Sequence, residues 1–197
     1  MAQTSTREHL IETGVTLMHK HGYTATGLAE ILESAGVPKG SFYHHFSSKE
    51  DFALATLARY VSREGQHCEA VLGDANVAPL KRLKRYFRDL IQLYGQQSPT
   101  PGCLMGRFSL EVPELSATLR EHLSASFTHW QHAVASVIRA AMDANDLPST
   151  TNPESLAAFL LNSWQGALVR SQAEKSDAPL NSFMHYAFTV LLRPQSY

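Results

Sequence analysis

The feature that most constrains this chain is the spacing of its apolar residues, which follows helical steps of three and four. One such stripe comprises Leu80, Leu83, Phe87, Leu90 and Tyr94, and similar stripes run through 119–141, 156–168 and 183–191. This spacing places apolar side chains on one face of a helix. No segment between turn signals alternates apolar and polar residues in the manner of a strand. We therefore predict an all-α fold.

The prolines and the apolar stripes together locate the predicted helices. Pro79, Pro153 and Pro179 suit first-turn positions, where proline loses no hydrogen bond, and Thr26 and Ser48 are predicted N-caps. The predicted helices lie near residues 4–21, 27–34, 38–44, 48–72, 79–97, 103–111, 115–144, 153–173 and 179–192. Short helices before residue 47 and longer ones after it predict an N-terminal three-helix domain, 1–47, and a C-terminal bundle of about six helices, 48–197.

Composition bears on the cellular compartment in which such a chain is expected. The longest apolar run, Leu156–Leu161, is far shorter than the roughly 20 residues that span a bilayer, and acids appear early in an N-terminus without an apolar stretch. The 2 cysteines among 197 residues form no disulfide framework and suit a reducing compartment. We expect a cytoplasmic protein with no membrane partner. Its net charge of −1 means that any nucleic-acid binding must rely on a local patch.

Residues 24–50 contain such a patch. A short amphipathic helix is followed by a turn at Gly36, and Pro38 opens a second short helix whose Phe42 and Phe46 can pack inward with Val37. The outward face is then Lys39, Gly40, Ser41, Tyr43 and His44. From Ser34 to Lys49 there are two lysines, two histidines and no acid. A short helix with these side chains suits a reader of the DNA major groove.

The stretch Thr26–Glu50, with Thr13, Leu17 and Gly22-Tyr23 before it, resembles the TetR family of bacterial transcriptional repressors. The resemblance implies a helix-turn-helix that binds palindromic double-stranded operator DNA, a homodimer, a small-molecule effector, and no cofactor or metal. It implies phosphate contacts for Thr26, Tyr43, His44 and Lys49, and base-edge contacts for Lys39, Gly40 and Ser41. Half-sites about 34–36 Å apart also require two reading heads.

The segment 99–112 carries the second candidate site. Cys103 follows a glycine at a predicted helix start, where backbone N–H groups and Arg107 one turn on would favour a thiolate. This segment, with Trp164–Arg170, resembles the branch of the family that contains the N-ethylmaleimide-reductase and acrylate-pathway repressors. That resemblance implies that Cys103 senses a reactive electrophile or oxidant, or lines a pocket for an unsaturated acid or its thioester.

Alternatives stay open for each sensor residue. Cys103 is either a sensing thiol or a small buried hydrophobe beside a reversible, non-covalent pocket, and Cys68 is predicted to be filler. Phe108, Trp130 and Trp164 line either a cavity or an ordinary core, and Arg170 is either a counter-ion for an acidic ligand or a solvated helix end. Gln172 stands where some relatives of that branch have a lysine, which argues against a cysteine–lysine cross-link.

The last two helices are predicted to form a four-helix bundle across a two-fold axis, through Trp164, Ala167, Leu168, Phe183, Ala187 and Leu191. Effector chemistry near Cys103 would then move the helix 103–111, which is predicted to press on the helix that follows Ser48.

Other functional classes are disfavoured. A glycine-rich phosphate loop and a nucleophile elbow are both missing, and Cys103 has no identifiable base, so we predict that the chain is not an enzyme. The pairs His129/His132 and His19/His21 lack further ligands at metal-binding spacing. A helical ligand-binding module without DNA binding is the remaining alternative, and the intact face from Lys39 to Tyr43 argues against it.

Overall fold

The computed structural model describes residues 5–95 and 102–193, which form helices and no strand. The helices are α1 (Thr6–Ala25), α2 (Leu28–Ala35), α3 (Lys39–His45), α4 (Lys49–Leu72), α5 (Pro79–Gly95), α6 (Leu104–Glu111), α7 (Ala117–Asp143), α8 (Pro153–Glu174) and α9 (Ala178–Tyr186), followed by a π-helical turn, Ala187–Leu191. The predicted all-α fold is confirmed. None of the helices in the described ranges is long and apolar enough to cross a membrane.

The helix ends agree with the predicted bounds within a few residues, with two differences, at Thr26 and after Tyr186. The hydroxyl of Ser48 accepts the Asp51 N–H at 3.0 Å, which confirms Ser48 as a cap. The prediction that Thr26 caps α2 is wrong, because Gly27 holds that position and the Thr26 hydroxyl donates to the Gly22 carbonyl at 2.6 Å. The predicted helix 179–192 changes to π-helical geometry after Tyr186. The end of the predicted helix 79–97 lies outside the described residues.

The chain divides into two compact units. The first contains the residues up to Glu64 together with Cys103–Ser126, and the second contains Gly65–Gly102 and the residues from Phe127 onward. The boundaries therefore fall within α4, between Gly102 and Cys103, and within α7. The functional division predicted between residues 47 and 48 stays a prediction.

In the first unit, α1 is the helix on which the others assemble. Its buried face includes Leu10, Val15 and Met18, and α2, α3 and α6 all pack against it. Arg59 of α4 holds α1 from another side, because its guanidinium pairs with both Glu8 and Glu12.

The second unit has an aromatic core. The rings of Phe87 from α5, Trp164 from α8 and Phe183 from α9 are mutually in contact, with centroids 5.0–5.5 Å apart. Trp164 and Phe87 are fully buried, so the apolar stripes predicted for these three helices do converge on one core. This packing fixes which face of α8 lies inside the chain.

The partly buried carboxyl of Glu64 leads to a prediction of how stability depends on pH. Burial raises its pKa, and the neighbouring Arg63 only partly opposes that shift. The folded protein therefore binds this proton more tightly than the unfolded chain, and stability falls as pH rises through the folded pKa. Glu64→Gln is expected to raise the melting temperature at pH 8 by about 2 °C. The gain should disappear at acidic pH, where Glu64 is protonated in both states.

The matched control for this change is Glu69→Gln, because Glu69 lies exposed on the same helix. Calorimetry of both variants at several pH values checks the expectation. A gain for Glu64→Gln that is equal at all pH values, or that Glu69→Gln shares, would contradict it.

Candidate DNA-binding surface and sensing residues

The turn between α2 and α3 has the geometry that a sharp helix-to-helix connection requires. Gly36 ends α2 with φ 63° and ψ 31°, a left-handed conformation that glycine adopts without a steric penalty. The Gly36 N–H donates to the Glu33 carbonyl at 3.1 Å and the Val37 N–H to the Leu32 carbonyl at 3.0 Å. Pro38 is extended and precedes α3. The backbone groups at the end of α2 are thus satisfied before α3 begins.

An aromatic cluster beneath α3 holds its outer face in place. The Phe42 ring lies 5.4 Å from both Phe46 and Phe52, and Phe46 lies 5.0 Å from Phe52, measured between centroids. All three rings are buried, as predicted for Phe42 and Phe46. Because Phe42 points inward, its neighbours along the helix point outward.

The outer face of α3 is open to solvent. Lys39, Gly40, Tyr43 and His44 are exposed, and Ser41 is half-buried. A Cβ placed on Gly40 would meet no atom within 4 Å, so another backbone or base can approach there closely. Lys39, Gly40, Ser41, Tyr43 and His44 are hereafter the reading face. It is a small cationic surface free of carboxylates.

The remaining two predicted DNA contacts differ from the reading face. Lys49 begins α4, and its Nζ lies 3.4 Å from the Thr24 carbonyl and 4.6 Å from the centre of the Tyr23 ring. Partial burial lowers the pKa of Lys49, and the Glu111 carboxylate opposes that shift. Thr26 is fully buried with its hydroxyl donated to Gly22, so that hydroxyl hydrogen is not available to a phosphate in this conformation.

Cys103 directly precedes α6 in the first unit. It is buried, with an extended backbone, and its thiol does not cap the helix. The Tyr60 hydroxyl, from α4, donates to the Cys103 Sγ at 3.8 Å. The edge of the His19 ring in turn meets Tyr60, with centroids 5.4 Å apart. The sulfur therefore has a hydroxyl donor beside it that the sequence did not suggest.

Arg107 and Phe108 occupy the next turn of α6. The Arg107 backbone N–H donates to the Cys103 carbonyl at 2.9 Å, while its half-buried side chain is not placed against the thiol by any described contact. Phe108 is fully buried and packs edge-on against Tyr23 of α1, at 6.0 Å between centroids. Phe108 thus belongs to the contact between α6 and α1.

The other three predicted sensor residues lie in the second unit. Trp164 is fully buried in the aromatic core and Trp130 is half-buried, and the indole Nε1 of each has no hydrogen-bond partner. Arg170 is exposed and pairs with Glu174 at 2.6 Å, one turn along α8. Of the two interpretations of Arg170, the structure favours the solvated helix end.

Unpaired buried donors are concentrated in this second unit. Within the described residues, the buried side-chain atoms that lack a partner are Nε of Arg82, Nε1 of Trp130, Nε1 of Trp164 and Nε2 of Gln165. Each is an N–H donor and none is an acceptor. A buried donor without an acceptor costs about 1–3 kcal/mol, and such groups commonly bind water or a ligand.

Gln172 lies against the residue that precedes the cysteine. A Cβ on Gly102 would overlap the Gln172 side-chain amide, and Gly102 itself has φ +76°.

Sequence reasoning missed the residues that join α6 to its neighbours. Glu111, the last residue of α6, accepts the Thr24 N–H through Oε2 at 2.7 Å. Tyr60 and Glu111 belong to no local motif, and Tyr23 was noted only beside Gly22 in the family resemblance, so their long-range partners are what identify their role. Among the described residues, no three histidine, cysteine or acidic side chains gather in a way that could hold a metal ion.

Two family models match the chain. Residues 10–56 match the model described as bacterial regulatory proteins, tetR family, and residues 79–187 match the tetracyclin repressor-like C-terminal domain. The chain is 36% identical over 192 residues to the HTH-type transcriptional repressor DhaR of Mycobacterium sp. (strain GP1), which covers 98% of this chain and 95% of DhaR. It is 30% identical over 189 residues to the repressor NemR of Escherichia coli (strain K12), covering 96% and 95% of the two chains.

Solved structures agree with these matches. The crystal structure of E. coli NemR in its reduced form gives a TM-score of 0.88 at 30% identity, covering 94% of this chain and 96% of that one. The regulatory protein TetR from Rhodobacter sphaeroides gives a TM-score of 0.87 at 32% identity, covering 91% and 95%.

Proposed function

The chain belongs to the TetR family of bacterial regulatory proteins, and we propose that it is a repressor that binds palindromic operator DNA as a homodimer until a small effector releases it. It is a regulator and not an enzyme, as the family implies. Residues 1–47 would form the DNA-binding domain, and residues 48–197 would bind the effector and dimerise. The observation that carries this proposal is the exposed, acid-free reading face on α3, held from beneath by the Phe42 cluster.

On DNA, the first residues of α3 would enter the major groove. Lys39, Gly40 and Ser41 would face base edges, where a lysine most often meets guanine O6 or N7. Tyr43 and His44, one turn later, would contact phosphates and set the register. Lys49 would join them from the start of α4. Because Thr26 is fully buried with its hydroxyl donated to Gly22, its predicted phosphate contact would require a change in this conformation.

Dimerisation would use the outer face of α8 together with α9 and the π-helical turn. An open groove there is lined in part by Phe159, Ala167 and Tyr186. Phe159 is 53% exposed and Tyr186 60% exposed, which is unusual for large apolar side chains that have no partner. Trp164 and Leu168 were also predicted for this interface, but both are buried within the chain. A second copy of the chain is the partner that a palindromic operator requires.

For the effector, we propose that Cys103 is the sensing thiol and that it reacts with an electrophile. The Tyr60 hydroxyl supports this role, because it donates a hydrogen bond to the Cys103 sulfur at 3.8 Å and so gives that sulfur a polar partner. The position of Cys103 supports it as well, since the cysteine directly precedes α6, and α6 packs against α1 of the DNA-reading unit. This contact gives a second route to the reading face, beside the predicted one between α6 and α4.

A reversible pocket ligand is the second candidate, and a separate observation favours it. The unpaired Nε1 atoms of Trp130 and Trp164 and Nε2 of Gln165 would be satisfied by a ligand that carries hydrogen-bond acceptors, such as a carbonyl or carboxylate. In this alternative Cys103 is a structural core residue, and the effector binds without forming a covalent bond. An unsaturated acid or its thioester supplies acceptors of this kind.

The experiment that tests the proposal measures fluorescence anisotropy of a labelled duplex from upstream of the protein's own gene, against a scrambled duplex. N-ethylmaleimide is expected to lower operator affinity by about 5–150-fold, the usual size of allosteric coupling. Cys103→Ser should bind the operator normally and resist the reagent. Cys68→Ser is the matched control, because Cys68 is equally buried, and it should still be released.

The other outcomes separate the candidates. Specific binding that N-ethylmaleimide does not change would reject the thiol switch and favour the pocket ligand. Release of Cys103→Ser to the same extent as wild type would also reject sensing at Cys103. Equal binding to both duplexes would reject an operator in that region.

A further inference from the structure

The junction between α1 and α2 is held by a carboxylate from α6. Helix α1 kinks at Gly22, where φ is 86° and ψ is 176°, so the regular hydrogen bonding of the helix is interrupted there. The N–H of Thr24, two residues later, instead donates to Oε2 of Glu111 at 2.7 Å. A carboxylate that accepts a freed backbone N–H acts like a helix cap and contributes a charge-assisted hydrogen bond.

The second carboxylate oxygen also meets this junction. A Cβ at Gly22 would overlap Oε1 of Glu111, so the close approach depends on glycine at that position. Since Gly22 also has a positive φ, two separate features of the backbone favour glycine where α6 ends. Oε2 of Glu111 therefore accepts the Thr24 N–H, and Oε1 lies against Gly22.

The same junction includes a residue proposed to contact DNA. Lys49 donates to the Thr24 carbonyl at 3.4 Å, and its ammonium lies over the Tyr23 ring. Phe108 of α6 packs edge-on against that ring. Glu111 attracts Lys49 electrostatically, because its negative charge raises the pKa of Lys49 against the lowering that burial causes. Thus α6 contacts the junction through an aromatic ring and a carboxylate, and Lys49 shares both of their partners.

We propose that Glu111 is a positioning residue, which ties α6 to the Gly22–Thr24 junction and to Lys49 and so transmits movement of α6 to the reading face. The role in signalling rests on the proposed function, whereas the tie itself does not. Helix α6 starts directly after Cys103 and ends at Glu111, so a change at the cysteine is carried along about 12 Å of rigid helix. A shift of the Glu111 end of α6 would break the hydrogen bond that the Thr24 N–H donates to Glu111.

The tie can be tested without DNA or effector, by hydrogen exchange of the amides from 22 to 26. In Glu111→Ala, exchange at Thr24 is expected to rise roughly tenfold, because a hydrogen bond to a charged acceptor is lost. Glu111→Gln keeps an acceptor oxygen and should retain most of the protection. The control Glu114→Ala removes an exposed carboxylate just after α6 and should change nothing. Unchanged exchange in Glu111→Ala, or an equal rise in Glu114→Ala, overturns the tie.

Transmission is tested by the operator affinity before and after N-ethylmaleimide. In wild type the ratio is expected to be about 5–150, and in Glu111→Ala it should approach 1 while binding without the reagent persists. A merely structural role would weaken basal binding and leave the ratio unchanged, so an unchanged ratio overturns the signalling role. If wild type binds no operator, the proposed function fails, and if it binds but N-ethylmaleimide does not release it, the thiol switch fails and the signalling role of Glu111 fails with it. In both cases the exchange measurement still decides the tie.

Discussion

Lys39→Ala is expected to lower the affinity for operator DNA by about 5–150-fold, the loss that one base contact of about 1–3 kcal/mol produces. Lys39 is exposed at the first position of α3, and no acid lies between Ser34 and Lys49 to neutralise it. Affinity for scrambled DNA should fall much less, because that binding depends on phosphate contacts summed over the surface. Anisotropy titrations on both duplexes at one salt concentration measure the difference.

The matched control is Lys20→Ala, which removes the same charge from an exposed position on α1 outside the reading face. Lys20→Ala should leave unaltered the ratio of the affinity for operator DNA to that for scrambled DNA. Circular dichroism should show native helix content in both variants, since neither side chain is buried. If Lys39→Ala and Lys20→Ala weaken binding equally, Lys39 contributes only net charge, and α3 is not the element that reads bases.

The exposure of the reading face and the buried rings beneath it were predicted from the sequence because their determinants are local, while its contacts with DNA stay a prediction. A left-handed glycine, a proline two residues later and two inward phenylalanines suffice to place α2 and α3 at a sharp angle. Thr26 is the exception. A threonine before a helix usually caps it, but here the kink at Gly22 offers a carbonyl that binds the Thr26 hydroxyl first.

The contacts of Glu111 and Cys103, on which the proposed link between sensor and DNA-binding surface rests, could not be predicted in the same way. The partners of Glu111 and Cys103 lie 87 and 43 residues away, at Thr24 and Tyr60. Such pairs leave no periodic signal, and each residue alone is an ordinary surface acid or core tyrosine. The packing of α6 on α1 brings Glu111 to Thr24, and Tyr60 reaches Cys103 from α4.

Helix α8 shows a different limit, because apolar residues occupy two of its faces. Leu160, Trp164 and Leu168 are buried within the chain, while Phe159 and Val169 are each 53% exposed. Spacing alone identifies a helix but not which face meets the core of its own chain. The rings of Phe87 and Phe183 decide this, because they enclose Trp164 from α5 and α9.

The outer face of α8 leads to the second large effect. Phe159→Glu combined with Val190→Glu is expected to convert a dimer into a monomer and to weaken operator binding at least about 100-fold, since burying unpaired like charges at an interface costs several kcal/mol. Phe159 and Val190 are 53% and 59% exposed in the single chain, so the variant should fold normally. Light scattering distinguishes the 21.8 kDa chain from its dimer.

Leu115→Glu serves as the control, because Leu115 is a 62% exposed apolar residue in the first unit and lies outside the α8 groove. It should leave both the dimer and the operator affinity intact. Dimerisation and DNA binding should fail together, because one reading head engages a single half-site and loses the contribution of its partner. A charged double variant that stays dimeric would place the interface elsewhere, and a monomer with full operator affinity would contradict a two-headed reader.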